Sequence, residues 1–178
     1  MWRRINELVW FLKILSSVHS AKSVVYEQIY NGKLCLAGVT LDRRQQRNAV
    51  DLATAEALAD AVRRAESDAD VAAGVLYGQH GTFCAGADIA EFGAGALDPE
   101  WRALNQAAIR RVQHEVARAE KPVIAAIAGD CVGGGCGLAI ACAIRIARPA
   151  ARFGVPPARR SPAYARLATT LLVVLIAR

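Results

Sequence analysis

The chain is short of the residues that several function classes require. Its three histidines, His19, His80 and His114, stand far apart, and no two cysteines have C-x-x-C spacing, so no zinc site can be read. The five cysteines, Cys35, Cys84, Cys131, Cys136 and Cys142, are odd in number. They read as partly buried thiols of a reducing compartment, not as a disulfide framework. The G-x-S-x-G turn of a serine nucleophile is missing, and no serine sits at a suitable glycine turn, so a serine peptidase is a distant reading. Also missing are the G-x-G-x-x-G dinucleotide fingerprint and the Lys-Ser/Thr of a phosphate loop. The net charge is +6 without any Lys/Arg block. A basic soluble domain is the plainest reading of that charge, an anionic small ligand the next and a nucleic-acid surface the last. No apolar run is long enough for a membrane span, because Lys13 interrupts the first one and "LATTLLVVLIAR" is short.

What is present suits one globular domain. The chain has 178 residues, 54% hydrophobic and 21% charged. Residues 1–22 stand apart, with Arg3, Arg4, Lys13 and Lys22 against the single acid Glu7. A transit peptide or weak signal, a helical extension and an unused upstream start are all open, the last two fitting best. Residues 23–178 form the folded unit. "VVYEQIY-NG-KLCLAGVTL" predicts a hairpin at Asn31-Gly32. "RRQQRNA" (43–49) reads as a polar loop. Asp51 is a candidate N-cap for a helix whose Leu52, Ala55, Leu58, Val62 and Ala65 share one face. Residues 71–78 read as a buried strand, 79–93 as a loop, 99–120 as an amphipathic helix and "KPVIAAIAG" as another buried strand. A small-residue helix follows the glycines Gly133, Gly134 and Gly135. The alternation predicts an α/β fold with a largely parallel sheet system.

Two glycine loops each sit between a buried strand and a helix. Free N–H groups and a partial positive charge at such a helix start suit an anion or oxyanion. Tight turning with close helix packing is the plainer alternative for either loop alone.

Taken together, "GTFCAGADIAEF", "KPVIAAIAGDCVGGGCGLAIAC" and "ARFGVP" resemble the crotonase superfamily, the enoyl-CoA hydratase/isomerase family, over about residues 24–160. "LDRRQQRNAVDLATAEAL" resembles that family's first CoA-facing loop and helix. The resemblance implies a crotonase-type superhelix of β-β-α turns, here incomplete at the C-terminus. It implies trimers or dimers of trimers, and an acyl-CoA thioester as ligand. Coenzyme A is then part of the substrate, and no separate cofactor is implied. The backbone N–H groups of Ala87 and Gly134 match the oxyanion donors. Ala85, Asp88 and Ile89 match the adenine and pantetheine path. Arg47 is a candidate for the CoA phosphates, with a solvated loop arginine as the alternative. A cytoplasmic protein is expected, or a mitochondrial one if residues 1–22 are a transit peptide. No nucleic acid or membrane partner is expected.

The chain departs from that pattern at two positions. Hydratases of the family carry glutamates where this sequence has Gly137 and Pro157. Such carboxylates supply general acid–base help typically worth about 10²–10⁴-fold, and neither Gly nor Pro can do so. Hydration is therefore doubtful, and a non-catalytic CoA-ester binder or inactive fragment is the alternative. Asp130, His114 and Glu115 are the titratable residues left to consider.

The terminal run over residues 171–176 is apolar and lacks the closing helices that the resemblance implies. The isolated chain is expected to self-associate or to be poorly soluble. Analytical ultracentrifugation at micromolar concentration checks this, and a monodisperse monomer would contradict it.

Overall fold

The computed structural model describes residues 23–31, 34–88, 90 and 98–154, with Asn31 and Arg102 described by their backbones alone. The expectations for residues 1–22, Gly32, Ile89, Pro157 and the terminal run lie outside the described residues.

β1 (Val24–Asn31) pairs antiparallel with β2 (Leu34–Leu41), and Asn31 faces Leu34. That register confirms the hairpin but leaves 32–33 as the connection, one residue later than the Asn31-Gly32 turn read from the sequence, because Asn31 is itself paired as the last residue of β1. A single 3-10 turn at Arg44–Gln46 follows. α1 (Leu52–Ser67) starts where the Asp51 carboxylate accepts the Thr54 N–H at 2.7 Å. Its Ala55, Leu58, Ala59, Val62 and Ala65 are buried. Small residues at three of these five positions let the helix lie close to the sheet, and full burial of Leu58 stabilises by about 2–3 kcal/mol.

β3 (Val71–Gly78) runs parallel to β2, and β4 (Thr82–Cys84) follows a short turn. α2 (Pro99–Arg118) opens with Asp98 accepting the Glu100 N–H at 2.9 Å and Pro99 in the first turn, where its missing N–H costs nothing. Then come β5 (Val123–Ile127), β6 (Asp130–Val132), α3 (Gly134–Ala141), β7 (Ile144–Ala147) and β8 (Phe153–Gly154).

One sheet has the order β1-β2-β3-β5-β7, the other β4-β6-β8. Apart from the β1–β2 hairpin all pairings are parallel. From β3 onward each pass of the chain gives one strand to the large sheet and the next to the small one. This is the expected winding of β-β-α turns. The main core fills the space between sheets and helices, with Leu41, Leu58, Phe83, Val112 and Ile127 among its buried members.

Four other sequence readings change. The loop over 79–93 contains β4, and the stretch before the triple glycine contains β6. Three residues are too few to show alternation, so pairing between distant segments alone creates these strands. The third helix begins at Gly134, inside the glycine run, because Gly133 turns the chain there. The five cysteines are free, as expected, but every one is buried, not partly so. Burial pushes the Cys84 and Cys142 thiols up to about 12.

Candidate functional site

The site lies beyond the ends of β4 and β6, where two loops are stitched together. Asn48 begins the construction. It sits in the left-handed region (φ 57°), which Asn tolerates better than most residues, and it is buried. Its Nδ2 donates to the carbonyls of Gln79 (2.9 Å) and Thr82 (2.7 Å), and its Oδ1 accepts the Arg43 N–H (2.9 Å). The loop before α1 is thereby held against the β3–β4 turn.

Backbone bonds continue the join. Ala85 N–H donates to Arg47 O (3.1 Å), Val50 N–H to Gly86 O (2.8 Å) and Asp88 N–H to Val50 O (3.0 Å). Val50 and Ala87 thus form a one-residue parallel bridge that leaves the Ala87 N–H out of the pairing. The Arg43 guanidinium locks the far side. It pairs with Asp51 at 2.6 Å and Asp88 at 3.0 Å and donates to Ala49 O at 2.5 Å. Asp88, expected on the ligand path, therefore has its side chain buried in an internal ion pair. Ala85 is half-buried beside it.

The triple glycine faces this join, and each glycine meets a different demand. Gly133 has φ 56° and ψ −117°, a conformation that side chains disfavour. A side chain on Gly135 would start 2.4 Å from Cys84 O, so α3 packs directly on β4. A side chain on Gly134 would start 3.6 Å from the Ala87 nitrogen, in the space between the two loops. The Gly86 position likewise looks onto the Gly134 nitrogen, at 3.2 Å from where its side chain would begin. The first N–H groups of a helix lack helical acceptors, and in α3 no side-chain cap replaces them. Among the described residues neither the Ala87 nor the Gly134 N–H finds an acceptor. Two adjacent unpaired donors at a helix start can together hold one carbonyl or anionic oxygen.

The charged groups nearby are committed elsewhere. Asp130 takes two hydrogen bonds from Arg152, at 2.7 and 2.9 Å, and one from Arg47. The Arg152 hydrogen bonds hold its carboxyl below the usual 3.8 against the opposing effect of burial, aided by the charges of Arg152 and Arg47. That suits an ion-pair anchor better than a proton carrier. Glu115 pairs with Arg63 at 3.2 Å, and His114 is exposed on α2. Arg47 reaches Asp130 yet stays 62% exposed, and Arg152 is 79% exposed. Reading the sequence missed Arg43, Asn48 and Arg152. Asn48 left one trace, a lone Asn before an apolar pair and a helix cap.

This winding and these loops define a class, the crotonase-fold proteins. An enoyl-CoA hydratase structure from Bacillus anthracis matches with a TM-score of 0.73 and 28% identity, covering 88% of this chain and 59% of that one. The family model described as Enoyl-CoA hydratase/isomerase matches residues 31–161, and the chain belongs to that family. It is 37% identical over 124 residues to the short-chain-enoyl-CoA hydratase of Clostridium acetobutylicum, covering 68% of this chain and 46% of the relative. It is 41% identical over 109 residues to a peroxisomal bifunctional enzyme of Danio rerio, covering 61% of this chain and 14% of that one. The chain thus spans about half the length of the Clostridium relative, and far less of the bifunctional one.

Asn48→Ala leaves two buried carbonyls without a donor and puts alanine in the left-handed region. Urea unfolding is expected to show a loss of about 3 kcal/mol. The lowered Asp130 pKa stabilises the fold above the ordinary carboxyl range, and that contribution is lost as pH falls through it. Asp130→Asn is expected to be less stable than the original chain at pH 7, with the gap closing below about pH 4. Urea midpoints at pH 7, 5 and 3 measure this.

Proposed function

We propose that the protein binds acyl-CoA thioesters and stabilises negative charge on the thioester oxygen, as an enolate or tetrahedral oxyanion. The observation that carries this reading is the pair of unpaired N–H groups of Ala87 and Gly134. Chemistry at a thioester carbonyl drives charge onto oxygen, and preset backbone donors need no reorganisation to meet it. Membership of the enoyl-CoA hydratase/isomerase family supports the same ligand. Ala85, Asp88 and Ile89 belong to the segment that the CoA moiety follows, Asp88 through its backbone. The exposed guanidinium of Arg47 is offered to the CoA phosphates, and Arg152 adds a second positive charge beside it. Coenzyme A arrives as part of the substrate. A homo-oligomer in the cytoplasm fits the family and the five reduced thiols.

Hydration is the weaker part of the reading. Gly137 carries no carboxylate one turn into α3, Pro157 has none to offer, and Asp130 is held ionised by arginines. A CoA-ester binder without hydratase turnover is the second reading, and Gly137 is the observation that favours it.

The test compares binding of an enolate-like CoA analogue with that of a saturated thioester. Gly134→Ala fits sterically, its new carbon 3.6 Å from the nearest atoms, but fills the space before the Ala87 N–H. Gly134→Pro removes a donor outright. Both variants are expected to lose about 10²–10³ of the preference for the analogue, measured by calorimetry. Crotonyl-CoA turnover by the original chain is expected to be close to background. An unchanged preference in both variants would overturn the assignment of the donors.

A further inference from the structure

Gly137 is one helical turn beyond Gly134, so both lie on the same side of α3. The bond from Gly137 N–H to Gly133 O, 3.3 Å, closes that turn directly under the glycine loop. The space a side chain at 137 would occupy is already taken. Its first carbon would fall 2.3 Å from Nε2, 3.2 Å from Cδ and 3.8 Å from Oε1 of Gln113. Gln113 comes from α2, where Val112 and Val116 beside it are buried and anchor the helix. Its own side chain is half-buried. Among the described residues its amide has no hydrogen-bond partner. A primary amide carries two donor hydrogens and an acceptor oxygen, so this one has unused capacity in both senses.

We propose that Gln113 is a specificity-determining residue of the thioester site, whose amide reaches over Gly137 to hydrogen-bond a polar substituent on the acyl chain near the β-carbon. The proposal rests on the thioester reading above. With the thioester oxygen at Ala87 and Gly134, the acyl carbons nearest the carbonyl pass within reach of the next turn of α3. A glutamate there would offer a negative acceptor able to move a proton. The amide is neutral, donates as well as accepts, and moves no proton at ordinary pH. It therefore selects among ligands. A β-hydroxyl satisfies the amide, whereas a plain methylene chain takes away its water and returns no hydrogen bond.

The experiment measures dissociation constants for 3-hydroxybutyryl-CoA and butyryl-CoA by calorimetry on the full chain. The original protein is expected to favour the hydroxylated ligand by about tenfold, the worth of one good hydrogen bond in a partly buried site. Gln113→Leu keeps the bulk without the amide and is expected to bring the ratio close to one. Gly137→Ala leaves Gln113 in place but drives its head group away, and is expected to lower the ratio in the same direction. The two variants change different helices, so a folding defect in one leaves the other to decide. Circular dichroism identifies which variants are folded. A ratio near one in the original protein, or a tenfold ratio that survives in a folded variant, overturns the assignment to Gln113. Failure of the original protein to bind either thioester overturns the thioester reading as well, which separates the two outcomes.

Discussion

Everything at the site depends on the join between the loop before α1 and the loop after β4. Its centre is Asn48, a buried amide that binds two carbonyls and one N–H at once. The one-residue bridge between Val50 and Ala87 has room for only the donors and acceptors already paired. The Ala87 N–H is therefore left out by the geometry of the join, and the loop cannot turn it inward without breaking the bonds on both sides. Arg43 reinforces this from beneath, because one guanidinium holds the cap of α1 and the residue after Ala87 together. Separating those charges in a largely buried setting would leave carboxylates unpaired, which costs far more than the loss of a surface pair.

The partner loop obeys a different constraint. Its demand is close approach, since α3 must come near enough to β4 that a side chain at Gly135 would collide with a backbone carbonyl. The small thiols support this closeness. Cys136 donates to the Cys131 carbonyl at 3.0 Å, and its sulfur also accepts from the Cys131 thiol. That thiol bond draws the Cys136 pKa down to about 7, against the effect of burial. The cysteines thus act as small, weakly polar packing beneath the glycine turn, where a larger residue would lift α3 off the sheet.

A site made from peptide groups separates the scaffold from the chemistry. Backbone donors persist when side chains around them change, so one fold can keep its thioester grip while its proton-moving groups vary. In this chain the position one turn into α3 is bare and a glutamine from another helix covers it. Asp130 is occupied in ion pairs with Arg47 and Arg152. On the proposed reading the backbone donors hold the oxygen, and selectivity passes to the neutral amide.

Much of the fold is legible in the order of residues alone. The periodicity of α1, its Asp51 cap and the buried runs of β3 and β5 are local properties, and each appears where local chemistry places it; the hairpin also forms, with its turn one residue later than Asn31-Gly32. Ala87 and Gly134 are legible through two loops that together match a family pattern. The rest depends on distance. β4 and β6 exist only because strands far apart in the chain pair. The role of Asn48 requires carbonyls more than thirty residues away. In sequence Asp130 looks like a free titratable group, but Arg47 and Arg152 reach it from separate segments. Nothing in the sequence around Gln113 distinguishes it from a solvated helix residue. Local sequence settles which segments turn, bury and cap, because those follow from neighbouring side chains and backbone preferences. Tertiary packing decides which donors stay unpaired and which side chain covers Gly137, because both depend on what folding brings alongside.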